Sequence, residues 1–226
     1  MSPSSAQSTM DSLEELLGIA ASMGAALDDC LEGLEHDGSL RSVLSASLAT
    51  VTIEHGRSVL VLTEIDHLVS ATALLRVQLE STVRGIWFLF GAKDEWMERY
   101  VSHRGNGQGV AKDPNFTPGM DEMIREISES APQEIGRMLS GFKSGAWAPL
   151  NSYIHSGIHS IYHALKGHHE PYAIQTLRNS CGLTGMAAML IAVLSGDPEV
   201  TAEVKGIQLA HQRCLPPLVG EEAGAQ

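Results

Sequence analysis

The sequence predicts an all-α protein, a single-domain bundle of about seven to nine helices. Apolar residues recur with a 3.6-residue period along most of the chain, whereas sustained two-residue alternation and Asn-Gly hairpin signals are absent. Hydrophobic residues make up 43% of the chain and charged residues 19%, a balance typical of globular proteins. The 226 residues contain no central linker, so one domain is expected over about 11–215, between a disordered leader (1–10) and a flexible tail (216–226).

Capping and helix-breaking residues divide the chain into its predicted helices. His36-Asp37-Gly38 ends the first, Ser70 is a candidate N-cap of the third, and Asp197-Pro198 opens the last. Pro132 and Pro149 are each expected near the start of a helix. The predicted order is about 11–34, 39–65, 71–90, 94–103, 120–130, 132–142, 150–165, 173–194 and 198–213, with an irregular Gly- and Pro-rich loop at 104–119.

The third predicted helix carries apolar residues nearly all round, which is typical of a central helix. Arg76, Glu80 and Arg84 form one polar strip on it. A buried ion pair needs further hydrogen bonds to offset desolvation, so partners from other helices are expected. The candidates are His155, Asn151 and Tyr162, together with His55, which occupies a core position in the apolar stripe Leu40, Leu44, Leu48, Val51, Val59 and Leu62 of the second helix.

The stretch Leu150–Leu165 holds three histidines at four-residue spacing: His155, His159 and His163. On one continuous helix, His155 lies at the edge of an apolar stripe and His163 points almost to the opposite side, toward solvent. Because the three fan over about 80°, they do not converge on one metal ion. His155 is therefore interpreted as a core-edge histidine bonded to a neighbouring helix. The alternative is a metal pair of His155 and His159, which requires ligands from another helix.

Composition excludes several classes of function. The formal net charge of −12 disfavours nucleic-acid binding through a broad basic face. Three cysteines without a C-x-x-C pair indicate neither a disulfide framework nor a thiolate zinc site, and with the lack of a signal-peptide pattern they favour a cytoplasmic protein without membrane contact. No P-loop, dinucleotide-binding or nucleophile-elbow motif occurs, and no cofactor is expected.

Two segments, SATALLRVQLESTVRGIWFLF and LNSYIHSGIHSIYHALKG, resemble bacterial all-helical families of unknown function that are distantly HEPN-like. The resemblance covers about Ser39–Leu194 and singles out Arg76, Glu80, Asn151 and His155. It implies a helical bundle in a stress, phage-defence or toxin–antitoxin context, without supplying an activity. HEPN ribonucleases have four to six intervening residues between an arginine and the histidine that follows it. No arginine of this chain has that spacing, and Arg99 and His103 have only three residues between them. The resemblance therefore implies a noncatalytic relative.

Two functional hypotheses result. The first is a noncatalytic binding or interaction module that forms a homodimer and is open to a protein partner. The second is a hydrolase or nuclease in which His155 acts as general base and Arg76 steadies an oxyanion, or a metal-dependent hydrolase that uses His155, His159 and Glu80.

Overall fold

The computed structural model describes residues 11–102 and 118–217. Within these two stretches all regular structure is helical, which confirms the predicted all-α class. The predicted leader, most of the predicted 104–119 loop and the tail from residue 218 lie outside the described residues. The elements are α1 (Leu13–Leu31), α2 (Leu40–Glu64), α3 (Leu68–Phe90), α4 (Asp94–Ser102), α5 (Met120–Ser130), α6 (Gln133–Ile154), α7 (Ile158–Lys166), α8 (Glu170–Ser195), α9 (Pro198–Ala210) and a 3-10 turn, η1 (Gln212–Cys214).

The central helix is α3, as its apolar surface predicts. It contacts α2, α5, α6, α7 and α8, and most of its residues are buried. Trp87 is fully buried, and its indole N–H donates to Glu126 Oε2 of α5 at 2.6 Å. Buried indole N–H groups need such an acceptor, so this bond helps to hold α5 against the core.

The buried face of α2 agrees only in part with the predicted stripe. Val59 is fully buried, and Leu40, Leu44 and Leu48 pack half-buried against the core. Most of the fully buried residues, however, are small or polar: Ser42, Ser45, Ala49, Thr52, Ile53, Gly56, Val59 and Thr63. Val51 is exposed and His55 is only half-buried, so the placement of His55 in a core position was wrong. The physical reason is close packing against α3 and α8, because short side chains let helix backbones approach where a leucine stripe would hold them apart.

A buried hydrogen-bond network joins α2, α3 and α8 at this contact. Gln78 of α3 is fully buried, and its amide nitrogen lies 3.1 Å from the Ser180 carbonyl oxygen and 3.2 Å from Thr184 Oγ1. Its amide oxygen accepts from Ser180 Oγ at 2.8 Å. On its other side the network continues to Thr52 of α2, whose carbonyl oxygen lies 3.3 Å from the same amide nitrogen. A satisfied polar network of this kind fixes the register of three helices.

The chain between 132 and 166 folds differently from the prediction. One helix, α6, replaces the predicted helix at 132–142 and the start of the predicted histidine helix, and Pro149 lies inside it. The break between helices comes instead at residues 155–157, where Ser156 has φ +52° and Gly157 is the N-cap of α7. Ser152 Oγ accepts from the His159 amide at 3.1 Å and so caps the new helix. The prediction of one continuous histidine-bearing helix at 150–165 was therefore wrong.

Within the described residues, one helix, α8, is long and apolar enough to cross a membrane by length and composition alone. Just over half of its most apolar window, 56%, is buried inside the bundle. It packs against α1, α2, α3 and α9, and its predicted small residues Ala187, Ala188 and Ala192 are buried there. Core helices of globular proteins commonly have this composition.

Candidate functional site

Two complementary residue pairs meet between α3 and α6. Arg76 and Glu80 are one turn apart on α3, and Trp147 and Asn151 are one turn apart on α6. Arg76 is only 7% exposed. Its Nε donates to Asn151 Oδ1 at 3.1 Å, and its Nη1 lies 2.5 Å from Glu80 Oε1. These four residues are called the Arg76 cluster below.

The guanidinium of Arg76 also stacks on Trp147. Its Cζ lies 3.4 Å from the centroid of the indole ring, and Lys143 Nζ lies 5.5 Å from the same centroid. A planar guanidinium matches an aromatic face, and a desolvated cation–π contact contributes up to about 2 kcal/mol. The guanidinium of Arg76 is thus held by an ion pair, a hydrogen bond and a stacked ring, which together dock α6 onto α3.

The structure brings Arg76, Glu80 and Asn151 together and places the other predicted residues elsewhere. His155 is the C-cap of α6, with an exposed side chain that makes no hydrogen bond or ion pair to another described residue. Tyr162 is exposed on α7, and its ring contacts His163. Trp147 is the cluster member that sequence reasoning missed, because its neighbourhood was expected to be a break between two helices.

A second cluster lies where α6, α7 and α8 meet. Tyr153 is buried, and its hydroxyl shares a hydrogen bond with His163 Nδ1. The His163 ring lies 4.7 Å, centroid to centroid, from both His168 and Tyr172. His159 approaches the Tyr153 ring at 6.1 Å. These five residues are called the Tyr–His cluster.

The prediction that His163 points to solvent was therefore wrong. The turn at 155–157 re-orients α7, so the helical wheel of one continuous helix does not apply beyond Ile154. Ser156-Gly157 is the sequence signal that locates this break, because Ser-Gly pairs often mark turns and Gly is favoured at such positions.

Burial sets the protonation of this cluster. Burial lowers the pKa of His163 below its ordinary value of 6.5, and the nearby charges of His168, His159 and His169 lower it further. Burial also raises the pKa of Tyr153 well above its usual range, with the contact to Tyr172 as the next cause. At neutral pH the contact is therefore between a neutral imidazole and a neutral phenol.

Metal binding by the histidines has little geometric support. Over the described ranges, no three His, Cys, Asp or Glu residues are grouped to hold an ion. His155 lies at the end of α6 and His159 in the first turn of α7, so the turn between them removes the i, i+4 relation on which the predicted pair depended.

Ser22 of α1 and His211 at the end of α9 form a Ser–His pair, the combination of a nucleophile and a base. His211 Nδ1 lies 2.8 Å from the Ile207 carbonyl oxygen, which leaves Nε2 to accept from Ser22 Oγ at 3.1 Å. Acyl transfer also requires donors for the oxyanion. Ser22 lies inside α1, where backbone N–H groups are bonded within the helix, so the pair is better interpreted as a contact that closes the end of α9 onto α1.

The last element of the site is the outer face of α7, which is apolar and uncovered. None of the nine residues of α7 is buried. Ile158 is 70% exposed and Leu165 is 78% exposed. An amphipathic helix normally buries its apolar stripe, so the exposure of this surface is unusual.

Comparison with known sequences gives one match. A family of unknown function (DUF6988) matches residues 49–217, about three quarters of the chain. The chain belongs to this family. The DUF6988 match begins within α2 and includes the Arg76 cluster, the Tyr–His cluster and α7, whereas α1 and Ser22 lie outside it. No curated protein and no solved structure matches the chain.

Proposed function

We propose that this DUF6988 protein is a noncatalytic binding module that associates with a second copy of itself through the outer face of α7. The observation that carries this proposal is the exposure of that apolar face. The exposed large apolar residues of α7 offer roughly 500 Å² if a fully exposed large side chain contributes about 200 Å². They are Ile158, Ile161, Tyr162 and Leu165.

The size of this surface favours a protein partner. The largest apolar patch of a typical monomer is about 300–600 Å², and a stable interface buries about 800 Å² on each partner. The α7 face therefore lies in the upper part of the range for a monomer and supplies more than half of what a dimer needs.

The spacing on α7 favours a second copy as that partner. Ile158, Ile161 and Leu165 are separated by three and then four residues, the a–d–a spacing of a helix–helix seam. A two-fold axis places the same patch of both copies together, so one seam meets an identical seam.

Charge favours the same arrangement. The chain has a formal net charge of −12, yet residues 154–169 contain no Asp or Glu and only one lysine, Lys166. Contact through this segment brings no carboxylates of the two copies together, whereas contact through most other surfaces would add like-charge repulsion.

Sedimentation of the full chain tests the proposal. Wild type is expected to dimerise by about 100 µM, where a Kd of 1 µM or tighter gives nearly complete association. Ile158→Gln removes an apolar contact in each copy, about 1–2 kcal/mol per side, and should raise Kd roughly 30-fold or more. Leu209→Gln is the matched control, because Leu209 on α9 is also 70% exposed and should leave association unchanged.

Three results would overturn this function. They are a wild type that stays monomeric, equal weakening of association by the two variants, and a monomer that binds anionic vesicles through α7. The last result would assign the face to a membrane surface. From the HEPN-like resemblance alone we extend the proposal to a role in stress or phage defence, including toxin–antitoxin loci, which the identity of neighbouring genes tests.

The alternative function, a hydrolase or nuclease that uses His155, Arg76 and Glu80, has weaker support. A general base needs a neighbouring group to orient it, and the exposed His155 side chain has no such partner among the described residues. The Arg76 guanidinium is engaged by Glu80, Asn151 and Trp147. An enzyme would lose activity in His155→Ala while remaining folded; for a binding module, the variant should dimerise like wild type.

A further inference from the structure

The attachment of α7 to the bundle depends on the Tyr–His cluster. Because no residue of α7 is fully buried and its apolar side chains are exposed, it lacks the apolar anchor that usually holds a surface helix. Its inward contacts include the Tyr153–His163 hydrogen bond, the His163 ring against His168 and Tyr172, and the Ser152 cap on His159. In addition, Ser160 Oγ lies 3.4 Å from the Ser152 carbonyl oxygen, and α7 approaches α3. A change in His163 therefore acts directly on what holds the helix in place.

The surroundings of His163 disfavour a positive charge. From α6 it faces Tyr153, from α8 Tyr172, from α7 itself His159 and Tyr162, and from the α7–α8 turn His168 and His169. The aromatic partners are neutral, and each histidine would add like charge on protonation.

Among the described residues, no carboxylate is paired with His163. The second half of α6, from Ser144 to Ile154, has no charged residue, and the only carboxylate of α3, Glu80, is paired with Arg76. At the start of α8, Glu170 Oε1 accepts from the Leu13 amide at 2.9 Å. Protonated His163 would thus be half-buried among histidines and tyrosines without a carboxylate partner.

We infer that the Tyr–His cluster is an acid-sensitive latch that holds α7 on the bundle and, through α7, controls self-association. The partner in this inference is the one given by the proposed function, on which this step rests. Acid would release α7 and disperse the seam of Ile158, Ile161 and Leu165, which is continuous only while the helix is docked.

The direction of the effect follows from proton linkage. In docked α7 the pKa of His163 lies below the ordinary 6.5, and in released α7 it returns toward that value. The released state therefore binds the proton more tightly, and docking loses stability as pH falls through 6.5. The stabilisation is fully present above that pH.

The first arm of the test measures dimerisation of the full chain at pH 7.5 and pH 5.5. Kd of wild type should rise in acid by more than twofold and by up to about tenfold for each copy, because an imidazole of pKa 6.5 is protonated about ten to one at pH 5.5. His163→Gln keeps a polar group beside Tyr153 but does not titrate, so its Kd should change less than twofold. His67→Gln, which removes an exposed histidine before α3, should keep the wild-type pH response.

The second arm separates the latch from the dimer. Hydrogen exchange of residues 158–166, corrected for intrinsic rates, is measured in the Ile158→Gln variant at the same two pH values. Protection should fall in acid and should not fall when His163→Gln is added. Loss of protection in a chain that never dimerises supports the latch and refutes only the proposed function. Protection that is independent of pH, or that falls equally in both variants, overturns the latch.

Discussion

Gly56 of α2 lies against the buried polar network, and its replacement by alanine tests the packing of α2 on α8. A Cβ at this position would lie 2.2 Å from Thr184 Oγ1 and 2.9 Å from Gln78 Nε2. Both distances are shorter than van der Waals contact, so the threonine hydroxyl and the glutamine amide must move. Their mutual hydrogen bond of 3.2 Å is then lost or distorted.

The expected loss of stability follows from three contributions. Overpacking of a core costs about 1–3 kcal/mol, and the lost hydrogen bond adds about 1 kcal/mol. Alanine is the better helix former by about 0.8–1 kcal/mol, which offsets part of this loss. The net destabilisation of Gly56→Ala is therefore about 1–3 kcal/mol, or a Tm lower by about 3–10 °C for a chain of this size.

Gly18→Ala is the matched control. Gly18 is an exposed residue within α1, and a Cβ there meets nothing within 4 Å. The same substitution should raise stability by about 0.5–1 kcal/mol, because alanine reduces the backbone entropy lost on folding. Thermal and urea unfolding, followed by circular dichroism, show whether each substitution raises or lowers the free energy of unfolding.

A double-mutant cycle identifies the clash. Thr184→Ala removes the hydroxyl and leaves the Cβ of residue 184 at 3.5 Å, an ordinary contact. In that background Gly56→Ala should cost at least 1 kcal/mol less than in wild type. The reasoning would be refuted if Gly56→Ala stabilised the protein as Gly18→Ala does, or if its cost were unchanged by Thr184→Ala.

Two further predictions concern the Arg76 cluster and the cysteines. Arg76→Ala removes a charged hydrogen bond and a cation–π contact and should lower the free energy of urea unfolding by about 2–4 kcal/mol. The control Arg137→Ala removes an exposed ion pair and should change that free energy by less than about 0.5 kcal/mol. Equal effects of the two substitutions would contradict the docking role of Arg76. A thiol reagent should modify only Cys30 in the native protein, because Cys181 and Cys214 are buried. The reaction should become faster as pH rises toward and beyond 9.0, because burial and Glu203 raise the pKa of Cys30. Rapid reaction of all three thiols in the native protein, with the denatured protein as the reference for the thiol count, would refute this prediction.

Some helix boundaries were predictable from local signals, but the predicted N-cap Ser70 was wrong, because α3 begins at Leu68 and includes it. The helices predicted at 39–65 and 120–130 agree with α2 and α5 to within one residue at each end. The N-cap at Asp197 also forms as predicted, with its side chain accepting from the Glu199 amide at 2.8 Å. At Ser39 and Asp197 the capping side chain bonds to an amide only two or three residues away, so no distant contact is needed, whereas α5 begins after Gly119 without a side-chain cap.

The candidate site was predictable only in part, because its partners lie far apart in the chain. The residue pattern alone predicts the polar strip on α3 and Asn151 as a candidate partner for it. Trp147 was missed because Pro149 normally indicates a helix start, whereas α6 continues through it with Trp147 and Asn151 packed against Arg76. Contacts with another helix stabilised a local arrangement that propensity disfavours.

The sequence by itself determined the all-α class and the central position of α3, because a helix that is apolar nearly all round can only be buried. Only the tertiary structure decided which face of α2 is buried and where the histidines lie. Close approach of α2 to α3 and α8 selects small residues over a leucine stripe. The turn at 155–157 re-orients α7 and places His163 against Tyr153, and such a rotation changes every side-chain direction beyond it.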